Sequence, residues 1–447
     1  MIQTDENIKR YISQFESFEK SLNGELQSPI HTIRRTAIEQ FLKLGFPTTK
    51  DEEWRFTNIT PLIRTEFIPS FENPICPVSE KQLEKICIKK IPGQRLVFID
   101  GRYSSDLSVV NPQQPNIHIG SLAEAIKKLP DLVHQHILHN NDGEKNVFTA
   151  LNSSFLQDGA FIMLPDGTTV KNPVYLLFVS TGENTPIISH PRNLIIAGDD
   201  CRVSIIEHYV GVGMNPYFTN TVTQIAAGKN SIIVHSKIQN ESVKAFHIGS
   251  IYIKQDEASN VTSNSIMIGG EIVRNNIIAL LAAERIKCTM NGLSLASSQQ
   301  LIDNHTTIDH AKPHCSSHEL FKAILGGRSK GVFNGKIYVR KDAQKTDAKQ
   351  TNKTLLLSDM ATINTKPQLE IFADDVKCTH GATTGFLDAD AIFYLRSRGI
   401  SEDIARDILT YAFANDIINR ISVQPIREHL NHFIYTRLKQ GRQLENM

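Results

Sequence analysis

The sequence predicts a mainly β protein in which a β-solenoid core is flanked by α-helical regions at both ends. Three observations carry this. Apolar residues near the start recur at helical spacing, the stretch from Phe161 to Gly385 breaks into short Val-, Ile- and Leu-rich segments between polar turns, and the helical period returns after Gly385. The expected organisation is a mainly helical region over 1–160, a solenoid over 161–385 and a helical domain over 386–447. A chain of 447 residues exceeds the size at which one hydrophobic core stops growing, and an apolar share of 40% is ample for more than one packed unit.

Ile8, Ile12 and Phe15, then Ile33, Ile38, Phe41 and Leu42, mark the first amphipathic helices. Pro47 stops that pattern within GFPTTKDEEWRFTNITPL, where Trp54, the single tryptophan, falls among charges and reads as a packing anchor. A strand-like piece at Arg95 to Asp100 and a helical stretch from Leu122 to His139 follow. The β segments then run as VYLLF from Val174, LIIA from Leu194, VSII from Val203, SIIV from Ser231, IYI from Ile251, SIMI from Ser265 and IIALL from Ile277. Apolar triplets at Ile337, Leu355 and Leu369 are spaced by 18 and then 14 residues, which reads as stacked rungs. A rung that cannot bury its apolar face alone must stack on the next, so a solenoid explains the pattern. A β-sandwich is the rival, and it fits less well because hairpin turns of the Asn-Gly type are few across so many short strands. Beyond Gly385, Ser401 stands as a helix N-cap with Glu402 and Asp403 in the first turn; Ile404, Ile408 and Ala412 follow on one face, and a second helix is expected from Ile426 to Leu438.

Several function classes are excluded. With 48 basic and 47 acidic residues the chain lacks the basic footprint of a nucleic-acid binder, and Lys-rich stretches such as Lys341 to Lys353 are interleaved with Asp and Gln. The polar N-terminus and the lack of any long apolar run predict a soluble, cytoplasmic protein with no membrane span. Six widely spaced cysteines without a CxxC pair are expected as free thiols. The run GGRSKGVFNGKIYV is not a phosphate-binding loop, since Ile337 follows Lys336, and no paired carboxylates mark an independent catalyst.

Two constellations carry metal-binding side chains. DNHTTIDHAKPHCSSHELF holds His305, His310, His314, Cys315 and His318 within fourteen residues, either as ligands of zinc or iron or as structural histidines bonded to the backbone of neighbouring rungs. In DDVKCTHGATTG, Cys378 and His380 lie two apart, so an extended segment projects both from one face. Two ligands do not complete a tetrahedral site; the pair is either coincidental or half of a site shared across an interface.

The stretch DNHTTIDHAKPHCSSHELFKAILGGRSKGVFNGKIYVRKDAQKTDAKQTNKTLLLSDMATINTKPQLEIFADDVKCTHGATTGFLDADAIFYLRSRGI, together with GFPTTKDEEWRFTNI near the start, resembles the SufB/SufD family of the SUF iron-sulfur cluster assembly system. Within it the SufD branch fits better, because SufB would carry a glutamate- and cysteine-bearing sequence where this chain has KPQLEIFADDVKCTHG. The resemblance implies a right-handed parallel β-helix between helical domains and a scaffold that is not itself a catalyst. It implies pairing with SufB through the β-helix, with Lys377, Cys378, Thr379 and His380 at that interface, and docking of the ATPase SufC at the C-terminal helices around Ser401, Glu402, Ile404 and Ile408. His380 matches the histidine that supports a transient iron-sulfur cluster shared with SufB, with Cys378 as a candidate assistant. No cofactor is expected to be stably bound. Flavin in the complex, homodimers of the isolated chain, and sulfur delivery by SufS/SufE-type proteins are further expectations. Two other classes stand beside this reading: a solenoid polysaccharide enzyme, which the lack of a signal peptide disfavours, and a binding scaffold holding a permanent metal at His305 to His318.

Overall fold

The computed structural model describes residues 2–22, 25–73, 77–111, 116–137, 146–182, 185–213 and 215–445; Cys76 and His139 lie outside them. The chain opens with α1 (Ile2–Ser21), α2 (Pro29–Leu44) and α3 (Thr60–Arg64). Ser28 caps α2 by accepting from the His31 N–H, Pro29 starts it where no amide partner is needed, and Gly45 ends it with φ of 64°. After β1 (Ile68–Pro69), Ser79 and Gln82 form a reciprocal capping box on α4 (Glu80–Ile86). Three strands follow, β2 (Gln94–Ile99), β3 (Arg102–Val109) and β4 (His118–Ser121), and then α5 (Leu122–Lys128), α6 (Pro130–His136) and α7 (Val147–Ser154). Tyr11, Phe15, Phe41, Phe46, Trp54 and Phe148 pack into one aromatic core that seats these helices on the solenoid wall.

The solenoid begins with β5 (Ala160–Leu164), β6 (Val174–Ser180), β7 (Ile187–Ser189), β8 (Arg192–Ala197), β9 (Arg202–Gly211) and β10 (Tyr217–Ala227). Its regular part is β11 (Ile232–Asn240), β12 (Phe246–Gln255), β13 (Asn260–Met267), β14 (Ile272–Leu281), β15 (Lys287–Ala296) and β16 (Leu301–His310). It finishes with β17 (Ser316–Leu325), β18 (Lys330–Val339), β19 (Asp347–Leu356), β20 (Thr362–Ile371) and β21 (Lys377–Gly385). Even-numbered strands from β8 to β20 form one wall and odd-numbered strands from β9 to β21 the other, all in parallel, giving about eight turns. Each rung therefore supplies one strand to each wall. The spacings of 18 and 14 read from the apolar triplets are two half-turns, since Ile337 pairs with Leu369 on one wall while Leu355 lies on the other. Rung length varies, with Phe246 opposite Ile272 but Lys330 opposite Thr362, which is why the sequence repeat is irregular.

One corner of six successive rungs turns through a non-glycine residue with positive φ: Asp200, Asn230, Ala258, Arg285, His314 and Lys345 form this column. Several of their amides donate to a carbonyl of the next rung, as Ala258 does to Glu284 and His314 to Gln344. Strand β2 pairs in parallel with β6, so the wall extends into the first 160 residues, and antiparallel β3 and β4 complete the sheets at that end. At the other end α8 (Ala389–Ser397), α9 (Glu402–Ile418) and α10 (Gln424–Glu445) fold back along the outside of the odd-numbered wall. Ala414, Ile417, Ile426, Leu430 and Ile434 cover Ile238, Ile266 and Leu293 there. Lys322, at the edge of this apolar contact, bonds Asp416 at 2.8 Å and lies over the Phe413 ring.

Candidate functional site

The two walls end together. Among the described residues strand β20 pairs only with β18 and β21 only with β19, so two strands of ten and nine residues leave one backbone edge each unpaired, side by side. Long exposed edges of this kind are templates for pairing with another strand. Exposed Met360, Ile371, Phe372 and Phe386 lie in or just beyond these last strands.

Because no rung among the described residues covers the last one, side chains that point inward elsewhere are open to solvent here. Cys378 continues the inward column Cys288, Ser317, Ala348, and its neighbours Ile337, Ala348 and Leu369 half-bury it. His380 continues the column Met290, Glu319, Gln350. Both residues therefore sit on the inward face of one edge strand, with Lys377 and Thr379 on the outer face. Burial holds the Cys378 thiol above its usual range, which favours its protonated form. His380 is exposed.

One rung down, Gln350 is buried and donates its amide to Glu319 at 2.8 Å. Burial pushes the Glu319 carboxyl up to about 7, against the opposing pull of Gln350 and of the Thr306 hydroxyl on the facing wall. Deeper still, Glu207 accepts from His235 at 3.0 Å, and Glu241 pairs with His247 at 2.7 Å. Sequence reasoning missed this interior polarity; its signal was polar residues two apart at positions that alternation assigns to the inside.

The histidines of residues 305–318 do not converge. His305 points outward from β16, between Asp303 at 3.0 Å and Glu53 at 3.1 Å. Burial opposes its charge, but Asp303 and Glu53 outweigh burial and hold the imidazole above its usual range. Inside, His310 bonds Ser317 at 2.9 Å, and burial takes it down to about 4. At the corner His314 takes a φ of 60°, and the Cys315 thiol donates to the Ala283 carbonyl at 3.2 Å. On the outer face of the opposite wall, His318 is exposed. Alternation along the strands and the intervening corner scatter the five, and among the described residues no group of three or more His, Cys, Asp or Glu is placed to hold a metal. The structure joins two motifs that are far apart in sequence: Glu53 meets His305, and Trp54 stacks 3.8 Å from the Arg274 guanidinium, which itself bonds Asp303 at 2.9 Å.

On the C-terminal domain, Ser401 stands at the N-cap of α9, but its side chain makes no capping bond. Glu402 pairs with Arg396 at 3.0 Å. Ile404 and Ile408 share the solvent face of α9, opposite buried Ala405, Ala414 and Ile417. Phe393, 72% exposed, and Tyr394 add a further apolar surface on α8 that the sequence alone did not mark.

Residues 178–413 match the family described as the SufBD core domain of SUF-system FeS cluster assembly, and residues 5–176 match the SufBD protein N-terminal region. The chain belongs to the SufBD family. Among curated relatives, an iron-sulfur cluster assembly SufBD family protein of Synechocystis is 32% identical over 424 residues, 93% of each chain. The iron-sulfur cluster assembly protein SufD of Escherichia coli is 31% identical over 406 residues, covering 90% of this chain and 92% of that one. SufD of Bacillus subtilis is 24% identical over 446 residues, 96% and 99% of the two chains. This SufBD protein is thus an iron-sulfur cluster assembly protein and a SufD homologue. Among the described residues, no helix is long and apolar enough to cross a membrane.

Proposed function

We propose that this SufBD protein is a non-catalytic scaffold that pairs end to end with a SufB-type subunit and lends His380 to a cluster built at their junction. The observation that carries the reading is the open last rung, where two unpaired strand edges flank an inward-facing His380. A partner strand added to β20 or β21 would satisfy the free backbone groups and bring its own side chains over the opening. Neutral imidazole is a good ligand for iron and weaker than thiolate, which suits a cluster that must leave. Cys378, whose protonated form burial favours, is the assisting ligand. The cluster is cargo passing through the junction and not a resident cofactor; the thiol and imidazole here supply only part of its ligand set.

The exposed face of α9 with Ile404 and Ile408, joined by Phe393 and Tyr394, is the docking surface for a SufC-type ATPase. Sulfur reaches the junction from SufS/SufE-type donors through the complex. The test is His380→Ala in a complex reconstituted with SufB- and SufC-type subunits. The complex should form at unchanged stoichiometry with a lower yield of reconstituted cluster; an unchanged yield would remove His380 from the site.

A further inference from the structure

The junction reading leaves the interior beneath His380 unused, although Glu319 Oε1 and Gln350 Oε1 are short of donors there, with only the Thr306 hydroxyl facing the Glu319 carboxyl from the other wall. Each of the three residues is 3% exposed or less. Buried polar atoms are nearly always paired, because an unpaired acceptor costs about 1–3 kcal/mol. A buried carboxyl and a buried amide carbonyl short of donors in one place are a set waiting for a donor or a cation.

The backbone register brings them together. Glu319 and Gln350 are consecutive members of the inward column that ends in His380. Thr306 comes from the facing wall, where it pairs with Gly335. Gly335 leaves the space that the Gln350 side chain fills: a Cβ there would lie 2.4 Å from Gln350 Nε2, so any larger residue would push the amide away from Glu319. Beside this column Asn304 and Asn352 line a small cavity of about 10 Å³, room for about one water, and Asn304 Oδ1 is also unpaired.

The donors are a carboxylate, an amide carbonyl and a hydroxyl, all oxygens, which suit a hard or borderline divalent cation and not a soft one. No lysine or arginine bonds Glu319, so nothing in the described residues already supplies the positive charge that a carboxylate in this place requires. That the carboxyl is held up to about 7 is what burial without a counter-charge produces.

We propose that Glu319, with Gln350 and Thr306, forms an inner divalent-cation site one to two rungs below His380, reached through the open end of the solenoid. It rests on the junction reading for the cation's identity as ferrous iron, held inside one wall before it meets sulfur at the rim. On binding, the Glu319 proton leaves to solvent and no electron is transferred.

The experiment is titration of the full-length chain with Mn²⁺, an oxygen-preferring stand-in for ferrous iron, followed by electron paramagnetic resonance and calorimetry. It is run on wild type, Glu319→Gln and His380→Ala. One saturable ion per chain is expected in wild type and in His380→Ala, with at least about tenfold weaker binding in Glu319→Gln. Wild-type affinity in Glu319→Gln, no saturable binding in wild type, or equal loss in His380→Ala would each overturn the site, the last by putting the ion at the rim. Should circular dichroism show Glu319→Gln unfolded, Gln350→Met, which removes the carbonyl at similar volume, is read in its place with the same expectation. Retained inner binding alongside an unchanged cluster yield in His380→Ala would sink the junction reading and leave the cation site standing.

Discussion

Glu319→Gln gives the most quantitative handle on the interior. In wild type the carboxyl titrates near 7 instead of its ordinary 4.5, because burial disfavours the charged form. At about 1.4 kcal/mol per unit, the gap amounts to roughly 3 kcal/mol. The native state holds this proton more tightly than the unfolded chain does, so between those two values stability falls as pH rises, and the whole cost is present above about pH 7. Glutamine has no proton to lose and still accepts the Gln350 amide, so the variant lacks this slope while other titrations cancel in the comparison. Urea midpoints and slopes of both proteins, in chelator, are to be compared at pH 4.5 and pH 8. The variant should gain on wild type by about 3 kcal/mol across that range. A difference that stays constant with pH would show the carboxyl to be hydrated or paired, and the reasoning would fail.

Trp54→Ala should cost about 3–5 kcal/mol in a urea melt, because it removes an indole from the aromatic core and uncovers the Arg274 to Asp303 pair. His314→Gly should leave stability unchanged or raise it by up to about 1 kcal/mol, since its φ of 60° disfavours a side chain. Cluster assembly should be unaffected, and a loss of yield would reopen a metal role for that histidine. The double substitution Ile404→Asp with Ile408→Asp should keep the unfolding free energy of the isolated chain within about 0.5 kcal/mol per site, because both side chains face solvent, yet abolish co-purification with a SufC-type ATPase. Co-purification at wild-type levels would move the docking surface elsewhere.

The order of helix, solenoid and helix is legible because each part keeps its own period: three to five residues in the helices, two in the strands. The closeness of Cys378 and His380 is legible for the same reason, since two residues apart on a strand share a face. The cluster at 305–318 misleads because proximity in sequence is not proximity in space once a strand alternates and a corner intervenes. His305 faces outward to Glu53, His310 inward to Ser317, and His314 turns the corner. Rung length is hidden because each rung has two strands with loops of different lengths. Glu319 is invisible for a subtler reason. In SSHELF nothing but the phase of alternation says that the glutamate, and not the histidine before it, points inside, and that phase is set by stacking on β15 and β19. The contact of Trp54 with Arg274 joins segments far apart in sequence, and no local pattern announces it.

The most direct test of the scaffold reading is the native mass of this chain co-expressed with SufB- and SufC-type subunits, set against the chain alone. The account predicts an assembly of one SufB-type subunit, one copy of this chain and two SufC-type ATPases, lost when a proline placed in β21 at Ala382 blocks edge pairing. A lone monomer or a homodimer under the same conditions would contradict it.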